Sequence, residues 1–185
     1  MDEILERTNF IKNAIGNREI GAITMSSKYL INRVLKHLVK PLNTVIEYGP
    51  GNGVMTKALL RHLSPQGKLL VIESDARFIK ELNQIHDERL EIIQSRVQDL
   101  FLDQISIFCQ ADAIISSIPF YFLTPADRLK VISETHKTLA PGGNFILFHQ
   151  YRLLTLRQLN KSFNSVSVTF EPRNIFPCFI LDAKK

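Results

Sequence analysis

The 185-residue chain predicts an α/β fold, a mostly parallel sheet of seven strands with helices on both faces and an antiparallel hairpin at its C-terminal end. Three observations predict it. Short apolar, β-branched runs alternate with stretches of helical periodicity, the pattern of strand–helix–strand units. The first such run, ending at Tyr48, passes directly into Gly49, Gly51 and Gly53 and then into a helical pattern. The last two runs, 165–170 and 175–182, are joined only by the short turn Glu171-Pro172-Arg173-Asn174, which reads as a hairpin. With 45% hydrophobic residues the chain can bury a full core, yet it is short for two ordinary domains.

Residues 2–15 set Ile4, Leu5, Ile11, Ala14 and Ile15 among Asp2, Glu3, Arg7 and Lys12, an amphipathic helix ended by Asn17 and Gly21. A second helix opens at Ser26 or Ser27, either a fitting N-cap, and runs to Lys40 ahead of Pro41. Its apolar stripe is Leu30, Ile31, Val34, Leu35 and Leu38, and its other face carries Lys28, Arg33, Lys36, His37 and Lys40. Such a face is either merely solvated or lies on an anionic membrane.

The first strand covers Thr44 to Tyr48 and its helix carries on through Ala58, Leu59 and Leu60. A second strand, Lys68 to Glu73, precedes a helix from Ala76 to Ile85 capped by Asp75. Leu90 to Gln94 reads as the third strand, 99–108 as a helix, and Ala111 to Ser117 as the fourth strand. Thr124-Pro125 opens a helix with a cap and a proline at its first position, burying Val131, Ile132, Thr135 and Leu139. Ala140-Pro141-Gly142-Gly143 closes that helix, Asn144 to His149 forms the fifth strand, and a helix from Arg152 to Phe163 leads to the hairpin. Pro177 conflicts with a last strand that begins at 175, because proline cannot donate to a ladder.

The chemistry gathers at strand ends. Three glycines in five residues open the backbone at the start of a helix, whose free N–H groups favour an anionic ligand. The spacing is neither the dinucleotide G-x-G-x-x-G, since Val54 stands at the third glycine, nor a P-loop, since no Gly-Lys-Ser/Thr follows. Glu73, about two dozen residues on, can accept both hydroxyls of a ribose, with Asp75 as a competitor for that role. In an open α/β sheet the ligand lies at the carboxyl ends of the strands, so those of the first, second and fourth should converge.

The stretch Glu47 to Gly53 resembles the E-x-G-x-G-x-G motif of class I S-adenosylmethionine-dependent methyltransferases, which have a Rossmann-like fold. Ser117-Ile118-Pro119-Phe120 resembles the (D/N/S)-x-P-(F/Y) motif of those that methylate amino nitrogens. Gly21 to Leu30, Ile115 to Phe120, Leu139 to Gly143 and Phe148-His149-Gln150-Tyr151 extend the likeness to bacterial phospholipid N-methyltransferases, which are related to ribosomal RNA adenine dimethylases. Met25 stands where that family usually has proline, and Ser95-Arg96-Val97 replaces a Gly-Asp-Ala that touches adenine.

The resemblance implies S-adenosylmethionine as cofactor, held by Glu47, Tyr48, Gly49, Gly51, Asn52, Gly53, Glu73, Ser74, Ser116 and the backbone of Val97. Arg96 is then a surface residue or a local ion-pair partner. The resemblance also implies methyl transfer to the amine of phosphatidylethanolamine. Ser117, Pro119 and Phe120 would shape the acceptor site, while Tyr29, Tyr121, His149 and Tyr151 are candidates to strip the ammonium proton or hold the cation. Lys28 and Arg33 would meet the lipid phosphate. On this reading 1–40 are lid or membrane-contacting helices and 41–185 the methyltransferase domain. Two alternatives stay open: an RNA adenine N6-methyltransferase, and a methyltransferase-like binding protein without turnover.

Net charge of +5 and a pI near 9.3 suit an anionic partner, lipid or RNA, without choosing between them. Cys109 and Cys178 fit no metal spacing, so no metal is expected. Acidic residues at the N-terminus argue against a signal peptide, and no apolar run is of spanning length. The expected location is the cytoplasm, peripheral on the inner face of the membrane.

Overall fold

The computed structural model describes residues 26–38, 41–100, 110–120, 123–150, 153–174 and 176–185. Its elements are α1 (Lys28–Lys36), β1 (Leu42–Tyr48), α2 (Val54–Leu60), β2 (Leu63–Glu73), α3 (Ala76–Leu82), β3 (Leu90–Gln94) and a 3-10 turn (Val97–Asp99). Then follow β4 (Ala111–Ser116), α4 (Pro125–Thr138), β5 (Leu139–His149), α5 (Leu153–Ser162), β6 (Ser165–Glu171) and β7 (Cys178–Lys184). The seven strands form one sheet in the order β3-β2-β1-β4-β5-β7-β6. Pairings from β3 to β5 are parallel, and β7 runs antiparallel to both β5 and β6.

Both faces are covered, which is why the central strands are apolar at nearly every position. On one face Val45, Leu69 and Val71 pack with Leu30, Ile31 and Val34 of α1 and with α2. On the other, Ile46, Leu70 and Ile72 pack with Val131 and Ile132 of α4 and Leu159 of α5. The order switches between β1 and β4, and Ser117 N–H donates to Tyr48 O (3.1 Å) across that seam.

Several boundaries shift for identifiable reasons. Ser27, rather than Ser26, caps α1 by accepting from Leu30 N. Asp75 caps α3 by accepting from Arg77 N, and α3 stops at Leu82 rather than Ile85. Ala140 to Gly143 do not close α4; they form a bulge inside β5, where the pairing jumps from Ala111↔Leu139 to Ala113↔Asn144. Pro177 precedes β7 instead of interrupting it, and Glu171↔Cys178 is the first pair of the hairpin. The expected helix over 2–15 and most of that over 99–108 lie outside the described residues.

The cationic face of α1 is not freely solvated. Arg33 Nε reaches Glu171 (2.8 Å) and His37 Nδ1 reaches Asp182 (3.0 Å), so two side chains of this face tie the helix to the β6–β7 hairpin. No helix among the described residues is long and apolar enough to cross a membrane.

Candidate active site

The glycine loop joins β1 to α2. Gly49 takes a φ of +69°, and a Cβ there would lie 3.1 Å from Ile118 Cγ1 and 3.2 Å from Ser117 Oγ. A side chain at 49 would therefore close the gap between the loop and the end of β4. Gly53 has a different reason. Its φ is +75° and an added Cβ would meet Leu82 and Ile85 at 3.0 Å, so this glycine lets α3 approach the start of α2 rather than a ligand approach the backbone.

Glu73 ends β2 almost wholly buried, and three backbone N–H groups donate to its carboxylate: Gly51 to Oε2 (3.1 Å), Ser74 (2.7 Å) and Asp75 (2.9 Å) to Oε1. A carboxylate offers about four lone-pair sites. About one site therefore remains open toward the ribose hydroxyls that Glu73 is expected to accept. Asp75 is occupied by its cap and by Arg77, whose hydrogen bond holds the Asp75 carboxyl below its usual range. Val97 buries its side chain in the core, and Arg96 pairs locally with Asp99 (3.3 Å).

A hollow open to solvent lies between the glycine loop and the strand ends at β4, β5 and β7. Glu47, Gly49, Gly51 and Asn52 line one side, and Ser117, Pro119 and His149 the other. Glu47 is 2% exposed and accepts from Thr56 Oγ1 (2.7 Å). Burial pushes its carboxyl up to about 8 against the pull of the Thr56 hydrogen bond, and the charge of Glu73 adds to the rise. Ser117 Oγ donates its proton to Gly49 O, which leaves the hydroxyl lone pairs as acceptors. His149 is 8% exposed, burial pushes its imidazole down to about 4, and neither ring nitrogen has a hydrogen-bond partner. It is a neutral imidazole at the wall of a cavity, with both nitrogens uncommitted.

Other expected site residues are placed elsewhere. Phe120 is fully buried, 6.1 Å from the Phe145 ring, and supports the acceptor turn from below instead of facing a substrate. The Tyr48 side chain points to the α4 face, where its hydroxyl meets Thr135 Oγ1 (3.2 Å); only its backbone borders the site. Ser116 is buried and its hydroxyl accepts from Ile118 N (3.3 Å) inside the turn. Tyr29 lies outside the hollow, 42% exposed, with its ring against Arg173 and Lys28. Tyr121 and Tyr151 lie outside the described residues.

The hollow also recruits Phe78, Phe148, Gln150, Asn174 and Cys178. The segment from Phe148 to Gln150 was flagged by resemblance alone. Asn174 and Cys178 carried no signal, because only the antiparallel insertion of β7 beside β5 brings them there. Burial drives the Cys178 thiol up to about 12, so it is an apolar wall rather than a nucleophile. Among the described residues no group of three or more acids, histidines or cysteines is placed to hold a metal.

Comparison with known proteins agrees with this geometry. The sequence model of the ribosomal RNA adenine dimethylase family matches residues 16–125. The ornithine lipid N-methyltransferase of Singulisphaera acidiphila is 26% identical over 163 residues, 85% of this chain and 84% of that protein. A carboxy-S-adenosyl-L-methionine synthase of Vibrio atlanticus is 23% identical over 65% of this chain, which spans 50% of that protein. Among solved structures, the N-methyltransferase NodS of Bradyrhizobium japonicum in complex with S-adenosyl-L-homocysteine superposes with a TM-score of 0.72. It is 15% identical, and the match covers 95% of this chain and 96% of NodS. The 1,6-didemethyltoxoflavin-N1-methyltransferase of Burkholderia thailandensis gives 0.70 at 14% identity, over 99% and 88% of the two chains.

Proposed function

We propose, from the premise that the chain belongs to the ribosomal RNA adenine dimethylase family, that this S-adenosylmethionine-dependent methyltransferase methylates the amine nitrogen of a phosphatidylethanolamine-type lipid. The observation that carries the reading is His149, buried at the wall of the hollow, kept neutral, with both ring nitrogens unpartnered. Burial that strips a proton from an imidazolium also disfavours an alkylammonium brought to the same wall, since both are cations leaving water. An ethanolamine ammonium loses its proton in water only near pH ~10 and has no lone pair until then. A hollow that disfavours cations delivers the free base.

The cofactor fits the residues around the loop. Glu47 would complement its ammonium, the glycines leave its path open, and Glu73 keeps about one acceptor for a ribose hydroxyl. When bound it supplies an electrophilic methyl carried on a sulfonium. The chain supplies position. Ser117, its proton committed to Gly49, accepts from the amine and orients its lone pair, while the buried His149 keeps the wall unfavourable to the ammonium form and the proton leaves to water through the open side of the hollow. The ornithine lipid relative, covering 85% of the chain, supports a lipid amine as acceptor.

The family's name favours a second reading, adenine N6 in RNA. That amine is neutral at physiological pH, so it makes no use of a wall that expels protons. The test is methyl transfer from labelled S-adenosylmethionine to phosphatidylethanolamine vesicles, ornithine lipid vesicles and total RNA in parallel. Label in the lipid phase supports the reading; label in RNA alone refutes it. On the same reading residues 1–40 act as lid and membrane contact, and the enzyme works in the cytoplasm on the inner face of the membrane. Co-sedimentation with anionic vesicles tests that.

A further inference from the structure

Lys28 and Arg173 stand 145 positions apart in the chain and meet over one ring. The Arg173 guanidinium carbon lies 4.5 Å from the centre of Tyr29 and the Lys28 ammonium 5.4 Å from it. Two links hold them together. Ser27 N–H donates to Asn174 Oδ1 (2.9 Å), while Asn174 Nδ2 donates to Phe176 O (3.2 Å), so the cap of α1 is fastened to the β6–β7 turn. Behind it, the buried Glu171 carboxylate takes Arg33 Nε (2.8 Å) on one side and Arg173 Nε (2.9 Å) on the other.

Among the described residues, Lys28, Arg33 and Arg173 are three cations gathered at the Tyr29 ring and the single carboxylate of Glu171. Glu171 takes Arg33 through Nε and Arg173 through both Nε and Nη2 (3.2 Å). The side chains of Lys28 and Arg173 are exposed, with the Arg173 plane braced by the ring beneath it. The cluster opens beside the hollow, because Ser26 and Asn174, near neighbours of Lys28 and Arg173 in the chain, line it.

We propose that Lys28 and Arg173, braced by Tyr29, form the site for the anionic group of the acceptor, a phosphate ester carried by the same molecule as the amine. The inference rests on the reading of the hollow as an amine site, and it replaces Arg33 with Arg173 as the partner of Lys28. One acceptor would then span the two: amine at Ser117 and His149, phosphate at the rim. Glu171 and Asn174 are positioning residues, acting through Arg173 and the α1 cap.

The test compares two acceptors in mixed micelles, phosphatidylethanolamine and a long-chain alkylamine that lacks the phosphate, for the wild type and the Lys28→Gln/Arg173→Gln pair. The ratio of kcat/KM for the phosphate-bearing acceptor over the alkylamine should fall about tenfold in the variant, as for loss of partly exposed charge-assisted contacts. An equal loss on both acceptors would mark a merely structural role and overturn the proposal. Titration with inorganic phosphate in the presence of S-adenosylhomocysteine gives a readout apart from turnover, with S-adenosylhomocysteine affinity as the check on folding. Phosphate bound by the wild type and not by the variant supports the site even if neither lipid is methylated, a result that would sink the lipid reading alone. No phosphate binding together with an unchanged acceptor ratio overturns the site itself.

Discussion

Replacing Glu47 with glutamine should stabilise the ligand-free protein at neutral pH and cripple cofactor binding. Its carboxyl, carried from 4.5 to about 8 chiefly by burial, keeps in the folded state a proton that the unfolded chain has lost. Below pH 4.5 both states are protonated and the group contributes nothing. Between 4.5 and about 8 the folded state binds more protons, so this contribution to stability falls as pH rises. The deficit is about 3 kcal/mol at pH 7 and approaches about 5 kcal/mol above pH 8. Glutamine is neutral throughout and can still accept from Thr56.

In a domain of this size about 3 kcal/mol corresponds to a gap of roughly 6–12 °C in Tm. Melting curves of both proteins from pH 4.5 to 8.5 should open that gap in favour of Glu47→Gln. Comparing the two chains removes other titrations, His149 included. Binding should reverse the order. A cation-bearing cofactor draws Glu47 into its ionised form, so the wild type should release close to one proton at pH 7, read by calorimetry in buffers of different ionisation enthalpy. The variant should release none and lose at least about 30-fold in affinity, as when one partner of a buried ion pair is removed. A Tm gap flat across the pH range, or one favouring the wild type, would refute the reasoning.

Three further outcomes are expected. His149, pushed down to about 4 from 6.5, is a base whose unfolded form takes up a proton first, so its contribution to stability is complete above pH 6.5 and is lost as pH falls towards 4; His149→Phe should abolish that acid sensitivity in melting curves. Gly49→Ala should cost about 1–2 kcal/mol and eliminate cofactor binding, since a positive φ and two contacts near 3 Å oppose it, whereas Gly142→Ala, at a φ of +78° with open space around it, should cost about 1 kcal/mol and leave binding intact by calorimetry. Ser117→Ala should lower kcat about tenfold or more while cofactor affinity stays within a few-fold, because it removes an acceptor-side oxygen and the donor to Gly49 O; an equal loss in cofactor affinity would place Ser117 in the cofactor site instead.

What could be read without coordinates was what sequence-local physics dictates. A β-branched run meeting glycines at 49, 51 and 53 has few backbone solutions, and all three take positive φ. Thr124-Pro125 and Asp75 announce helix starts because capping needs only neighbours in sequence. Alternating strands and helices specified a parallel sheet, and the short 171–174 turn specified its antiparallel edge. Ser117 was legible as a strand-end polar residue next to that cradle, and His149 through the family resemblance. Their state was not, since neutrality of an imidazole depends on what surrounds it in space.

Tertiary structure decided the direction of each side chain and every contact between distant segments. A strand shows its residues to opposite faces in turn, so Tyr48 became core, and the turn after β4 carries Phe120 against Phe145. Glu73 accepts from one backbone N–H of a loop 22 residues away and from those of its two successors in the chain. Arg33 was claimed by a carboxylate on β6, and Tyr29 was met by an arginine from the hairpin turn. The sequence by itself determined the cradle and the class of chemistry, because those are written in backbone conformation over a dozen residues. Burial and long-range pairing determined which groups are neutral, which are spent and which still face the hollow, because desolvation and Coulomb energy depend on distance in space and not on distance along the chain.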